Sequence, residues 1–172
     1  MLILVKHARP VLDAGVAPKH WRLGPEGEAQ ARALADSLRQ FLPFHLASSP
    51  EPKAKRTAEI VGTALGVPVH VVDGLEEFDR PAMPIVSVDE HQRINAEIFR
   101  NPLLPVLGAE SADAALRRFT DAVQKAAQAT PPGHHVVVIA HGTVIALYVA
   151  QQRGDDAFAV WQSLDCGTYV VV

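Results

Sequence analysis

Residues 1–10 read Met1-Leu2-Ile3-Leu4-Val5-Lys6-His7-Ala8-Arg9-Pro10. An apolar run without a turn signal gives way at once to Lys6, His7 and Arg9. Such a run reads as a strand buried on both faces, as in a parallel sheet. His7 then falls at the carboxyl end of a central strand, where open α/β sheets place ligand sites. Val136-Val137-Val138-Ile139-Ala140 runs into His141 and Gly142 in the same way. Two buried strands that each end in a histidine put both imidazoles on one edge of one sheet. A single histidine after a strand is ordinarily a boundary residue. Two, with cations around the first and a glycine after the second, point to a site.

Working outward, the chain alternates helix and strand. Pro10, Gly15 and Pro18 mark a loop after the first strand. Gly24-Pro25 opens a helix with Glu26 and Glu28 at its positive end. Ala31, Leu34, Ala35, Leu38 and Leu42 give its buried stripe, and Pro43 ends it. Phe44–Ser48 reads as the second strand. A helix with Ala54, Ala58, Val61 and Leu65 on one side follows and stops at Gly66. Lys53, Lys55 and Arg56 lie in its first turns, the end that disfavours cations. An anion there explains them; on these residues alone a solvated basic face is the plainer reading.

Val67–Val72 reads as a third strand, Asp73-Gly74 as a turn, and Val88–Arg100 as a helix within a proline-punctuated segment. Glu110-Ser111 begins a long helix carrying Ala115, Leu116, Phe119, Val123 and Ala126. His134 and His135 read as exposed loop residues rather than metal ligands, with no third ligand near in sequence. A helix follows Gly142 to about Gln152, and Thr168–Val172 is the final strand. The pattern predicts an α/β three-layer sandwich: a mostly parallel central sheet with helices on both faces. Residues 1–172 form a single domain, with a short insertion at about 79–108 over one sheet edge.

Composition sets bounds. The chain has 172 residues, 48% apolar and 20% charged, with a net charge of −3. That suits one soluble domain. There is no basic field to attract nucleic acid. The lone cysteine, Cys166, excludes an internal disulfide. No apolar run is long enough to span a membrane or form a signal-peptide core, which leads to the expectation of a cytoplasmic protein.

The motifs, taken in order, resemble those of the histidine phosphatase superfamily, also called phosphoglycerate mutase-like. Lys6-His7-Ala8-Arg9-Pro10 resembles its Arg-His-Gly/Ala signature. Trp21-Arg22-Leu23 with Gly27 and Gln30-Ala31 resembles its first helix. Ser48-Ser49-Pro50, Lys53-Ala54 and Thr57-Ala58 resemble its second block, and Leu75-Glu76-Glu77 the block holding its acid. Glu110-Ser111 and Ala140-His141-Gly142 complete a set that covers nearly the whole chain.

The resemblance implies a phosphomonoesterase that works through a phosphohistidine on a small phosphorylated substrate, with no cofactor or metal. His7 is the implied nucleophile and must be neutral and in the correct tautomer. Glu77 is the implied general acid, with Glu76 as the alternative. Lys6, Lys53 and His141 match phosphate-binding positions. Gly142 and Thr143 offer N–H groups at a helix start. The family has arginine where this chain has Lys6 and Lys53. Lysine keeps the charge but loses the two-pronged grip on phosphate. Arg9 and Arg56 are the available compensations, and a solvated cation is the plainer account of Arg56. The two lysines also keep open a protein that binds a phosphorylated ligand with little turnover. A mutase is a further alternative, disfavoured by the small insertion.

Overall fold

In a computed structural model the chain is described for residues 1–81, 84–108 and 110–172. Its strands are β1 (Leu2–Lys6), β2 (Phe44–Ser48), β3 (Val69–Val71), β4 (His135–Ala140) and β5 (Tyr169–Val171). Its α-helices are α1 (Pro25–Leu38), α2 (Pro52–Leu65), α3 (Val88–Arg100), α4 (Ala112–Gln128), α5 (Gly142–Arg153) and α6 (Ala157–Ser163). The sheet order is β3-β2-β4-β1-β5. β1, β2, β3 and β4 pair in parallel, and β5 runs antiparallel against β1.

The pleat decides which side chains meet which helices. Ile3, Val5, Val137 and Ile139 pack with Leu34, Leu38, Ala54 and Val61 of α1 and α2. Leu4, Val136, Val138 and Ala140 pack on the opposite face with Ala115, Phe119 and Val123 of α4 and Ile145 and Val149 of α5. This is the expected α/β architecture, with both faces of β1 and β4 dry.

β1 and β4 are adjacent, with Lys6 beside Ala140. The backbone N–H of His7 donates to Ala140 O at 3.0 Å, extending the ladder one residue past the strand. His141 is the N-cap residue of α5. Both histidines therefore leave the sheet at one edge, side by side. The segment from 79 to 108, where described, folds over that same edge, with α3 at its centre.

Some local expectations shift. The α1 stripe ends at Leu38: Leu42 lies beyond a short 3-10 turn and is 40% exposed. β3 begins at Val69, because Gly66 takes the left-handed conformation (φ 68°) and the Val67 N–H turns back to Gly62 O. His135 is the first residue of β4 and half-buried, while His134 is an exposed loop residue. α6 was not anticipated; Asp156 caps it by accepting from the Ala159 N–H at 2.7 Å. Among the described residues, no helix is long and apolar enough to cross a membrane.

Candidate active site

The loop after β1 is pinned from several sides. The Ala8 N–H donates to Thr57 Oγ1 at 3.1 Å, and the Arg9 N–H donates to Gln30 Oε1 at 2.8 Å. Gly27 permits the approach of α1: a Cβ there would lie 2.2 Å from Arg9 O. These contacts fix the Ala8 carbonyl, which accepts from His7 Nδ1 at 2.7 Å. A carbonyl only accepts, so Nδ1 carries the hydrogen and Nε2 keeps its lone pair. Nε2 has no hydrogen-bond partner among the described residues. His7 is buried; that burial, reinforced by His141 and Lys53, holds its pKa well below 6.5. The ring is therefore a neutral base with its free nitrogen set by the tautomer.

His141 lies behind it. The ring centroids are 5.1 Å apart with planes at 63°. His141 has no solvent exposure, and its Nε2 is 2.8 Å from Ser49 Oγ. Its Nδ1 is buried without a partner among the described residues. Burial, and next the Lys53 charge, lowers its pKa to about 3.

Lys53 sits in the first turn of α2, as the sequence indicated, but it is not a surface cation. It is 4% exposed and donates to Pro18 O at 2.7 Å. It is also ion-paired with Glu51, the N-cap residue of its own helix. Glu51 is the anion that answers the helix-end cation. Lys55 is exposed, and Arg56 turns to Glu28 on α1 at 2.8 Å, away from the site. Glu51 was not anticipated as a site residue. Its Oε1 accepts from the Glu77 N–H at 2.8 Å and lies 3.8 Å from His141 Nε2. One buried carboxylate thus ties together α2, the acidic loop and the second histidine.

The two glutamates of that loop separate. Glu76 accepts from the Gly74 N–H at 2.7 Å and faces Arg118 at 3.5 Å. The Glu77 carboxylate reaches the start of α5, accepting from the N–H groups of Thr143 at 3.2 Å and Val144 at 3.3 Å. It also accepts from the Phe78 N–H at 2.9 Å. Arg118 of α4 clamps the loop from behind. It donates to the carbonyls of Gly74, Glu76 and Glu77 and grips Glu110 with Nε and Nη2, both at 2.9 Å. Arg118 was missed as well; its place on the charged side of α4 looks like any exposed helical cation.

Lys6, His7, Arg9, Lys53, Glu77, Gly142 and Thr143 line one cavity of about 500 Å³. The Lys6 Nζ donates to Leu164 O at 2.7 Å. Arg9 is at the rim, paired with Glu26 at 3.3 Å through two exposed side chains. The Thr143 N–H, expected to be free for an anion, is taken by Glu77. Ile85, Val88, Ile94, Leu107 and Trp161 supply apolar wall.

The sequence model of the histidine phosphatase superfamily (branch 1) matches residues 2–169. The chain is 28% identical over 135 residues to the uncharacterized phosphatase PhoE of Bacillus subtilis, covering 78% of this chain and 66% of that one. It is 32% identical over 149 residues to a probable phosphatase of Schizosaccharomyces pombe, covering 81% of this chain and 52% of the relative. The chain thus spans less than two thirds of the length of either. Among solved structures, a mycobacterial glucosyl-3-phosphoglycerate phosphatase superposes with a TM-score of 0.72 at 23% identity, over 94% of this chain and 82% of that one. With the ordered motifs folded onto one sheet edge, the chain belongs to the histidine phosphatase superfamily.

Proposed function

We propose that the protein is a metal-independent phosphomonoesterase that acts on a small phosphorylated substrate through a phosphohistidine on His7. One observation carries the reading: the Ala8 carbonyl holds Nδ1–H and leaves Nε2 without a partner among the described residues, in a cavity with cations on its walls. His7 Nε2 attacks phosphorus as the bond to the leaving oxygen breaks, and Glu77 gives that oxygen its proton. Water then attacks phosphorus, the N–P bond breaks, and the water proton passes to Glu77. Such transfer depends on positioning and charge neutralisation. Lys6, Lys53 and the Gly142 N–H surround the phosphoryl group, and Arg9 closes the mouth. His141 braces the His7 ring.

The Glu51–Lys53 pair favours a second reading. A lysine neutralised before substrate arrives contributes less to transition-state charge, and binding with slow turnover follows. Release of phosphate from an aryl phosphate separates the two readings. Steady turnover that disappears in His7→Ala and survives a chelator supports the enzyme. Saturable binding of phosphate without turnover supports the binder.

A further inference from the structure

The cavity holds a cation that those steps leave unused. Arg80 rises from the same loop as Glu77. Its Nη2 donates to Asn95 Oδ1 at 2.7 Å and to Thr143 Oγ1 at 2.8 Å. Both acceptor residues are fully buried, and the Asn95 amide is fixed in turn by donating to His91 O at 2.7 Å. The guanidinium is therefore held in place, but only by neutral groups. Among the described residues no carboxylate is within ion-pair distance of it. Its Nε is buried without a hydrogen-bond partner among the described residues. A desolvated cation whose hydrogen bonds go to neutral acceptors is compensated only at a distance, here by Glu77 and Glu51, and remains able to take an anion.

Its position along the cavity is defined. Glu77 Oε2 and Arg80 Nη2 converge on one residue, Thr143, at its N–H and its hydroxyl. Asn95 stands on α3, the helix that brings Val88, His91 and Ile94 to the cavity wall. Arg80 therefore lies beside the acid and against that wall, whereas Lys53 is held by Pro18 and Glu51. If Glu77 protonates the leaving oxygen, Arg80 faces the body of the leaving alcohol. The wall there is otherwise apolar, with Ile85, Val88, Ile94 and Trp161. In such a wall, one fixed cation discriminates strongly among substrates.

We infer that Arg80 is a specificity residue that binds an oxyanion on the leaving alcohol, a carboxylate or a second phosphate, making the preferred substrate a phosphomonoester with a second anionic group. This rests on the phosphatase reading. The two oxyanion sources share one chemistry, an anionic oxygen that accepts from a charged N–H; with both Nη2 hydrogens given to Asn95 and Thr143, Nη1 is the donor left for it.

The test compares matched esters on the whole chain: ethyl phosphate, 2-phosphoglycolate and ethylene glycol bisphosphate. The wild type is expected to favour at least one doubly anionic ester over ethyl phosphate by about tenfold in kcat/KM, one charge-assisted hydrogen bond's worth. Arg80→Gln removes that preference, mainly through KM, and leaves ethyl phosphate turnover intact, which also shows that the variant is folded. Arg80→Lys restores part of it. Preference for the glycolate or for the bisphosphate names the source. Equal use of all three esters by the wild type overturns the inference. So does an equal loss on all three in Arg80→Gln, which would place Arg80 on the transferring phosphoryl group or in the scaffold. If the wild type turns over none of them, the phosphatase reading fails instead. Calorimetric binding of phosphoglycolate against ethyl phosphate then still decides whether Arg80 selects the second anion.

Discussion

His7 and His141 meet edge to face, 5.1 Å between ring centroids, because their strands are neighbours and the His7 N–H bonds to the residue before His141. Both rings are desolvated and neutral. Two imidazolium ions at this distance would repel each other, so the pair resists double protonation in addition to the burial that keeps each ring neutral.

Activity is therefore expected to persist on acidification. The competent form of His7 is the neutral one, and its depressed pKa moves its protonation below the ordinary 6.5. The acid limb of kcat/KM on an activated aryl phosphate falls below pH 6.5. A limb at or above that value would mean that His7 is solvated or is not the nucleophile.

Stability behaves in the opposite sense. In the unfolded chain each ring titrates near 6.5, and in the fold His141 does so at about 3. The unfolded state binds more protons as pH falls, so stability present above 6.5 is lost on the way down to about 3. At pH 5, keeping His141 neutral costs about 2 kcal/mol, and His7 acts in the same direction. Thermal melts at pH 7.5 and 5.0 measure this, and His141→Asn flattens the slope.

Glu51→Gln keeps the hydrogen bond to the Glu77 N–H in reach but leaves Lys53 buried and unpaired. Breaking a buried pair is expensive, on the order of 3 kcal/mol. The melting temperature falls, and inorganic phosphate restores it more strongly than it stabilises the wild type. Phosphate also becomes the tighter competitive inhibitor. No change in either measurement would mean that Lys53 does not face the phosphate.

Glu77→Gln slows esters with poor leaving groups far more than activated aryl esters, by about a hundredfold or more. Arg118→Met, acting on the same residue from behind, lowers kcat on poor leaving groups with little change for activated ones. A purely structural Arg118 would lower both alike.

Much of this arrangement was readable before folding. The two apolar runs ending in histidine determined the sheet edge, because strands buried on both faces leave no polar alternation to misread. Glu77 stood out from Glu76 only by its offset from Leu75; the structure separates them, one carboxylate at the start of α5 and the other beside Arg118. Glu51, Arg118 and Arg80 were invisible for a common reason. Each acts across long sequence separations, Glu51 on residue 77, Arg118 on residues 74–77, Arg80 on residue 143, and nothing local marks such a partner. The basic start of α2 was a conflict that the sequence displayed but could not resolve, since its counter-charge is the cap residue itself.

The most direct test of the account is the fate of the phosphoryl group. The protein is mixed briefly with labelled phosphoester and quenched in alkali, and the label is mapped. The account predicts an alkali-stable, acid-labile label on His7 Nε2, absent in His7→Ala. Label on another residue, or undiminished turnover in His7→Ala, would contradict it.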